Sequence, residues 1–278
     1  MSTLLLDAGN SALKWLLVPA QQWPANSEAG LRGSVAIGAP DLATLLADAL
    51  RTALRQAAAG APDLILGCAV SAPSTLAAIE LGVHGACTQP VTWLCAQERY
   101  DHAGIVLENR YARPEQLGAD RWHALIGARV RHARGALLVV NAGTATTVDA
   151  VDAGGRFLGG VIAPGLGLMR GSLASGTARL PLAGGHWMAH PDNTDDAIHT
   201  GILEAQIGLV ERRWQALQQA SGPGGQLLLC GGAAPALLDG LQALRAPGTV
   251  IHEPELVLRG LWSCAQARRA ATSTDREK

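Results

Sequence analysis

The sequence predicts an α/β fold built from two related halves, and three observations support that prediction. The chain has 278 residues, 48% of them hydrophobic, so it is long enough to bury one large core or two of ordinary size. Short apolar runs typical of strands alternate with segments that have helical spacing. One strand–turn–strand pattern occurs near the start of the chain and again near its middle. We therefore expect two domains, residues 1–133 and residues 134–278.

The repeated pattern is an apolar strand that ends at an acidic or amide residue, a turn with glycine, and a returning strand. The first copy is LLLDAGNSALKWLLV at residues 4–18, and the second is LLVVNAGTATTVDAV at residues 137–151. Glycine and asparagine readily adopt the backbone conformations that tight turns need. Because the two copies lie about half the chain apart, they indicate a duplicated half-domain.

Further strands and helices are expected between and after the two copies. Leu and Ala recur at helical spacing over 41–59, and Pro114 is typical of the first turn of a helix that would run to about His132. Another long helix would be capped by Asn193 or Thr194. The remaining predictions are helices over 74–81, 193–217 and 233–244, and strands over 63–70, 91–94, 157–162 and 226–229.

Composition and charge argue against several classes of protein. The net charge is −1 and the sequence has no basic patch, which disfavours nucleic acid and anionic membranes as partners. The first residues, MSTLLLDAGN, lack the basic region of a signal peptide, and no apolar stretch is long enough to cross a bilayer. The five cysteines form no CxxC pair, which indicates reduced thiols and a cytoplasmic location; they are Cys68, Cys87, Cys95, Cys230 and Cys264.

The two glycine turns have the chemistry of a phosphate-binding site. A glycine turn lets backbone N–H groups approach phosphate oxygens, and Asn10, Ser11 and Thr144 add side-chain donors. Asp7 can hold Mg²⁺ directly or through water, as carboxylates do beside substrate phosphates. Lys14, on the returning strand, can reach the β- or γ-phosphate of a nucleotide.

Taken alone, either hairpin is better explained as an ordinary turn. Both together, with a third glycine turn at Gly231-Gly232 after a strand, favour phosphate binding. Other nucleotide-binding motifs are missing, since the sequence contains neither GxxxxGKS nor GxxxxGKT. Gly165 and Gly167 have the wrong spacing for a dinucleotide fingerprint, and Pro164 before them is not expected in a strand-to-helix turn.

Four motifs follow one another along the chain. They are DAGNSALK at Asp7–Lys14, LGADRW at Leu117–Trp122, NAGTATT at Asn141–Thr147 and GGVIAPG at Gly159–Gly165. Their order and spacing resemble the type III pantothenate kinases, and the similarity continues to about Leu261. The resemblance implies the actin-like, or ribonuclease H-like, fold: two domains, each a mixed sheet flanked by helices, with the active-site cleft between them. It also implies phosphorylation of pantothenate by ATP to 4′-phosphopantothenate, the first step of coenzyme A biosynthesis.

The resemblance also implies roles for individual residues. Asp120 would be the catalytic base, Thr144 part of the second phosphate loop, and Thr194 a contact of pantothenate. Mg²⁺ would be bound at Asp7 and a monovalent cation, K⁺ or NH₄⁺, at position 141. The family is expected to form a homodimer with the pantothenate site at its interface. The implied contacts of the ATP phosphates in the first loop are Asp7, Ala8, Gly9, Asn10, Ser11, Ala12, Leu13 and Lys14. The implied lining of the pantothenate pocket is Tyr111, Gly118, Ala119, Asp120 and Arg121.

Position 141 is the one clear departure from the family pattern. The second phosphate loop of the family usually begins with aspartate, whereas this chain has the uncharged Asn141. A cation site built only from neutral oxygens binds more weakly, so we expect a less strict requirement for K⁺. Ser11 replaces the more common threonine and keeps the hydroxyl group.

The chemistry expected of Asp120 depends on where its helix begins. If the helix begins at Gly118, Asp120 lies in the first turn, where the helix dipole favours an ionised carboxylate; if it begins at Pro114, that effect has mostly faded. An ionised Asp120 can accept the proton of a primary alcohol, and Arg121 can pair with the carboxylate of pantothenate. Each of these residues also has a purely structural explanation. Asp120 is a residue type favoured near a helix start, and Arg121 beside it would be solvated. Tyr111 would be a core aromatic residue, and Thr194 would be a helix cap.

Two other functions fit the same features. One is a phosphotransferase or phosphatase of the same fold that acts on a different small molecule. The other is a nucleotide-binding transcription accessory or regulatory protein without turnover. The presence of Asp120, Arg121 and Lys14 favours an enzyme, and the absence of a basic patch disfavours direct DNA binding.

Overall fold

The structure is a computed structural model that describes residues 2–19, 23, 31–57, 60–182, 184–244 and 249–276. Its contacts divide the chain into two units. The first unit comprises Met1–Val106, Tyr111–Arg131 and Leu256–Lys278, and the second comprises Leu107–Arg110 and His132–Glu255. This division differs from the single cut expected after residue 133, because the C-terminal segment packs on elements of the first unit.

The first unit contains a five-stranded mixed sheet with helices on it. Strand β1 is antiparallel to β2 and parallel to β4, and the strand order is β3-β2-β1-β4-β5. A separate hairpin follows the sheet. The strands are β1 Ser2–Ala8, β2 Ala12–Pro19, β3 Leu31–Ala36, β4 Leu64–Ala69, β5 Thr92–Trp93, β6 Arg99–His102 and β7 Ile105–Glu108, and the helices are α1 Leu42–Gln56, α2 Pro73–His84, α3 Ala119–Arg131 and α7 Leu256–Arg276.

The second unit repeats this arrangement. Strand β8 is antiparallel to β9 and parallel to β11, and the strand order is β10-β9-β8-β11-β12. The strands are β8 Leu137–Ala142, β9 Ala145–Val151, β10 Phe157–Pro164, β11 Gln226–Cys230 and β12 Val250–His252, and the helices are α4 Leu166–Gly176, α5 Thr194–Ser221 and α6 Ala234–Ala243.

The two sheets therefore share one topology, which confirms the duplicated half-domain predicted from the repeated hairpins. The correspondence extends to single positions. Asp7 of β1 pairs with Cys68 of β4, and Asn141 of β8 pairs in the same way with Cys230 of β11. Asp7 and Asn141 therefore occupy equivalent places, each next to the turn of its hairpin.

Each unit has its own apolar core beneath the central strands. In the first unit, β1 is buried along nearly its whole length, because α1 and α2 cover one face of the sheet and α7 the other. Such two-sided burial explains its continuous apolar run LLL. In the second unit, Leu138 and Val140 of β8 pack with Val210 and Trp214 of α5.

The helices α3 and α7 pack closely because two glycines face each other's backbones. A Cβ atom on Gly127 would meet the carbonyl oxygen of Leu256 and lie 3.0 Å from the amide nitrogen of Gly260. A Cβ on Gly260 would meet the carbonyl of His123 and lie 3.1 Å from its Cα. The neighbouring atoms are backbone and cannot move aside, so only glycine permits this approach.

Replacing Gly127 with alanine is therefore expected to lower the free energy of unfolding by about 1–3 kcal/mol, because the helices must separate. Denaturant titration followed by circular dichroism measures this change. The control is Gly208→Ala in α5, where a Cβ would meet nothing within 4 Å. There the better helix propensity of alanine should raise stability by about 1 kcal/mol. Equal effects at both positions would contradict the close-packing argument.

Some elements differ from those expected. The helix predicted from Pro114 begins at Ala119, because a 3₁₀ turn, Pro114–Gln116, ends at Leu117 with extended backbone. Gly165 caps α4 directly after β10, so the chain does make a strand-to-helix turn after Pro164. The strands β3, β6, β7 and β12 and the helices α4 and α7 were not predicted. Within the described residues, no helix combines the length and apolar character that a membrane span requires.

Candidate active site

The tip of the β1–β2 hairpin is held in one shape by backbone contacts. The amide of Gly9 donates to the carbonyl of Ala12 at 3.2 Å, which closes the turn. The hydroxyl of Ser71 donates to the carbonyl of Ala8 at 3.1 Å and also contacts the carbonyl of Gly9. Asn10, at the tip, is exposed. The turn is therefore anchored at its base and open at its end, where a ligand can approach the backbone.

Asp7 lies at the base of this turn among charged neighbours. The pKa of its carboxyl group is raised to about 6, chiefly by burial and to a smaller extent by the negative charge of Asp120. Lys14, which faces Asp7 across the hairpin, partly offsets the rise. The first unit thus brings together three of the predicted site residues, and the two carboxylates repel each other there. A cation between them would remove that repulsion.

Asp120 lies in the first turn of α3, which settles the question of where its helix begins. The first helical hydrogen bond runs from the amide of Trp122 to the carbonyl of Gly118 at 3.0 Å. The Asp120 carboxylate accepts a hydrogen bond from the amide of Arg121 at 2.8 Å. A Cβ on Gly118 would lie 2.7 Å from the Asp120 carboxylate oxygen Oδ1, so a larger residue there would displace that carboxylate.

The pKa of Asp120 is also raised. Burial is the main cause, and the backbone amide and positive charge of Arg121 oppose it. A carboxylate with a pKa raised from its ordinary value is a stronger base than a free aspartate. This behaviour fits a group that accepts a proton during a reaction.

Tyr111 and Arg121 also lie together in the first unit. The guanidinium nitrogen Nη1 of Arg121 donates to the hydroxyl of Tyr111 at 3.3 Å, and its Cζ lies 5.9 Å from the ring centroid. Arg121 is only 4% exposed, so it is not the solvated surface arginine of the structural alternative. A buried guanidinium beside a half-exposed phenol can orient a carboxylate ligand.

Two residues near Asp7 were not singled out from the sequence. Cys68 is fully buried beside Asp7 in the neighbouring strand, and burial, with help from the charges of Asp7 and Asp120, keeps the pKa of its thiol well above the ordinary value. Ser71 anchors the turn. Both follow from the pairing of β1 with β4, since parallel strands end at the same sheet edge. The apolar pattern at 63–70 predicted a strand, but it did not predict that this strand pairs with β1.

In the second unit, three glycine segments meet at the end of β8. The amide of Gly143 donates to the carbonyl of Ala145 at 3.1 Å and closes the turn between β8 and β9. This turn has two residues between its strands, whereas the turn of the first hairpin has three. The amide of Gly165 donates to the carbonyl of Thr144 at 3.0 Å. A Cβ on Gly231 would lie 2.6 Å from the side-chain oxygen of Asn141, and Gly231 has a φ of +94°. The third glycine turn predicted from the sequence therefore adjoins the second hairpin.

Thr194 is the first residue of α5. The side chain of Asn193 caps that helix by accepting a hydrogen bond from the amide of Asp196 at 3.0 Å. Of the two caps expected, Asn193 is therefore correct. The exposed side chain of Thr194 remains at the helix N-terminus, where an anionic group is favoured.

The described residues contain no group of three or more His, Cys, Asp or Glu side chains that could together hold a metal ion. Asp7 and Asp120 form only a pair. A hard cation such as Mg²⁺ commonly takes one or two protein carboxylates and completes its shell with phosphate oxygens and water. The carboxylates of the first unit fit that pattern.

Comparison with known proteins gives the family. The model of the type III pantothenate kinase family matches residues 3–216. A type III pantothenate kinase of Aromatoleum aromaticum is 42% identical over 270 residues, which cover 96% of this chain and 99% of the relative.

Two solved structures resemble the fold. The activator of 2-hydroxyisocaproyl-CoA dehydratase from Clostridium difficile, determined with bound ADPNP, has a TM-score of 0.52 at 11% identity and covers 100% of this chain and 98% of its own. A Campylobacter jejuni protein described as a Baf family transcriptional activator has a TM-score of 0.56 at 18% identity, with 96% and 99% covered. These likenesses concern the fold, which is the predicted actin-like α/β fold. The match of the family model and the 42% identity to a relative over 96% of the chain show that this chain belongs to the type III pantothenate kinase family.

Proposed function

We propose that this protein transfers the γ-phosphoryl group of ATP to the primary hydroxyl group of pantothenate, giving ADP and 4′-phosphopantothenate, the first step of coenzyme A biosynthesis. The observation that carries the proposal is the pair of carboxylates in the first unit. Asp7 lies at the base of an open glycine turn, and Asp120 lies close enough to change its pKa. A phosphoryl-transfer site needs both a carboxylate for Mg²⁺ and a nearby base.

The β1–β2 hairpin is the proposed phosphate loop. Its backbone amides, with the side chains of Asn10, Ser11 and Lys14, bind the phosphate oxygens of ATP. Asp7 holds Mg²⁺, directly or through water, and the ion supplies charge neutralisation when bound. Support comes from the raised pKa of Asp7, which reflects burial of its carboxylate and, to a smaller extent, the negative charge of Asp120. The other proposed contacts in this loop are Ala8, Gly9, Ala12 and Leu13.

Asp120 is the proposed base for the pantothenate hydroxyl. Its carboxylate is fixed by the Arg121 amide at 2.8 Å, so its orientation does not depend on the substrate. Its raised pKa strengthens it as a base. Arg121 pairs with the pantothenate carboxylate, and Tyr111 orients that guanidinium from its other side. Gly118 and Ala119 complete the pocket wall, and Thr194 is proposed as a further contact of pantothenate.

In the second unit, Thr144 is the proposed phosphate contact, and Asn141 lies at the proposed monovalent-cation position. Asn141 contributes a neutral oxygen where an aspartate would contribute a charge. We therefore propose that K⁺ or NH₄⁺ assists the reaction, but that the requirement is weaker than with an aspartate. Gly165 and Gly231 let neighbouring backbone pack tightly around this position, because a Cβ at either residue would collide with the backbone of residues 142–144.

Replacing Asn141 with aspartate is expected to make the reaction more dependent on K⁺. One added charge on a cation ligand is worth roughly 1.5–3 kcal/mol, so the ratio of rates with and without K⁺ should rise about tenfold or more. The measurement is ADP release at several K⁺ concentrations with a non-binding cation keeping ionic strength constant. Gln219→Glu, on an exposed position of α5, adds the same charge elsewhere and should leave the ratio unchanged. An unchanged ratio in Asn141→Asp would remove position 141 from the cation site.

The proposed assembly is a homodimer in the cytoplasm. The second unit exposes several large apolar side chains on β10, on α4 and in the segment before α5, which a partner subunit would cover. They are Leu158, Ile162, Leu168, Trp187 and Met188. No disulfide joins any of the five cysteines, as expected of a reducing compartment. Sedimentation velocity tests the dimer.

Coupled ADP release with and without pantothenate tests the proposed function. We expect ADP to appear only when ATP, Mg²⁺ and pantothenate are all present. Release with another small alcohol but not with pantothenate would point to a kinase of the same fold with a different substrate. If no ADP forms with pantothenate in any of several monovalent salts, the protein is better explained as a nucleotide-binding accessory or regulatory protein.

A further inference from the structure

A second cavity lies in the first unit, away from the carboxylate pair. It has a volume of about 480 Å³ and is bordered by α3, by α7 and by the segment between β5 and β6. None of Asp7, Lys14, Tyr111, Asp120 or Arg121 lines it. Its volume falls in the range of about 300–1,000 Å³ that small-molecule sites usually have.

One wall of the cavity presents a buried hydrogen-bond acceptor. His123 is 1% exposed, and its Nδ1 lies 2.7 Å from the carbonyl oxygen of Ala119. A carbonyl can only accept, so Nδ1 carries the proton. Burial lowers the pKa of His123 to about 4, so the ring is neutral and Nε2 is an acceptor.

A positive charge lies on another side of the cavity. Arg268 is exposed and lines the cavity beside Cys264. Burial raises the pKa of the Cys264 thiol to about 12, and the positive charge of Arg268 partly opposes that rise. Across the described ranges, the Arg268 guanidinium makes no hydrogen bond or ion pair. Arg99, the other lining arginine, is already paired with Asp101 at 2.9 Å.

The remaining walls combine apolar and polar side chains. The indole of Trp122, which is 1% exposed, borders the cavity together with Leu94. From α7, Ala267 and Ala271 contribute small side chains one turn apart, which leave the space open. Gln97 and Asp101 add polar groups, and Arg99 neutralises the charge of Asp101. A ligand here would meet an aromatic and aliphatic surface with polar groups at its border.

From these features we infer that the cavity is a second ligand-binding site, specific for a small amphipathic anion. The ligand has an aromatic or aliphatic body that packs on Trp122 and α7. It has one N–H or O–H group that donates to Nε2 of His123, and one carboxylate, sulfonate or phosphate that pairs with Arg268. The ligand contacts α3, the helix that carries Asp120, without occupying the site of Asp120 itself. The inference does not require the kinase proposal to be correct.

Anilinonaphthalenesulfonate is a suitable probe, because it combines an aromatic body, one secondary N–H and one sulfonate. Titration of the folded full-length chain should give a saturable fluorescence increase with one site per chain. MgATP and pantothenate together should not displace the probe. Binding without saturation, or displacement by these substrates, would overturn the inference, since the probe would then bind non-specifically or at the phosphoryl-transfer site.

Three variants locate the probe. Ala267→Trp fills the cavity and should weaken binding at least about tenfold, and Arg268→Gln, at an exposed position, should weaken it about tenfold through loss of one charged hydrogen bond. Ala270→Trp introduces the same bulk on α7 at an exposed residue that does not line the cavity, and should leave binding unchanged. If Arg268→Gln binds the probe as tightly as the unaltered chain, the site is not the one inferred, whether or not Ala267→Trp folds.

Discussion

Replacing Asp120 with asparagine is expected to reduce kcat by about 10²–10⁴-fold, the usual contribution of a general base, while ATP binds as before. Asparagine keeps the size of the side chain and can still accept the hydrogen bond from the Arg121 amide. The variant therefore loses the basic group without losing the shape of the helix start. Pantothenate-dependent ADP release measures kcat, and isothermal titration measures ATP affinity.

The matched control is Asp48→Asn on α1, where the carboxylate is exposed and pairs only with Arg51 at 2.8 Å. That change should leave kcat unaltered. An undiminished kcat in Asp120→Asn would show that another group accepts the proton. A parallel loss of ATP binding would instead show that Asp120 contributes to the nucleotide site.

Replacing Asp7 with asparagine is expected to stabilise the ligand-free protein and to impair turnover. Burial raises the pKa of Asp7 from 3.8 to about 6, so the ionised carboxylate destabilises the folded state at neutral pH by up to about 3 kcal/mol. Asparagine removes that cost. It also removes the carboxylate proposed to hold Mg²⁺, so ADP release should fall at least about tenfold.

The pH dependence of stability gives a sharper test of Asp7. Because its folded-state pKa is raised, the group favours folding when protonated, and its stabilising effect is lost as pH rises from about 4 to about 6. The difference in unfolding free energy between Asp7→Asn and the unaltered chain should grow over that window and stay constant above it. Denaturant titrations at several pH values measure it, with Asp48→Asn as the control. A difference that does not change with pH would contradict the buried, charged environment described for Asp7.

Local features of the hairpins could be predicted from the sequence because they depend on neighbouring residues. The β1–β2 and β8–β9 hairpins each contain their own glycine turn and two apolar strands, and both form as expected. The shared sheet order followed from their similarity. The start of α3 remained open until the structure showed that Gly118 makes room for the Asp120 carboxylate.

Long-range packing could not be predicted in the same way. The helix α7 is stabilised by its contact with α3 and by Arg269, which pairs with Asp63 at 2.7 Å and donates to Thr3 at 3.0 Å. These partners lie roughly 140–270 residues earlier in the chain, and nothing in the local pattern of α7 names them. For the same reason, the division into units and the role of Ser71 beneath the first turn emerged only from the coordinates.

The discontinuous first unit has a consequence for the order of folding during synthesis. Its central strand β1 is made well before α7, the helix that covers one face of that strand. The second unit is nearly continuous, at His132–Glu255, and lies between them in the chain, so it can close its core first. Newly made β1 therefore keeps an uncovered apolar face until α7 has been synthesised, and during that interval the nascent chain most needs protection by chaperones.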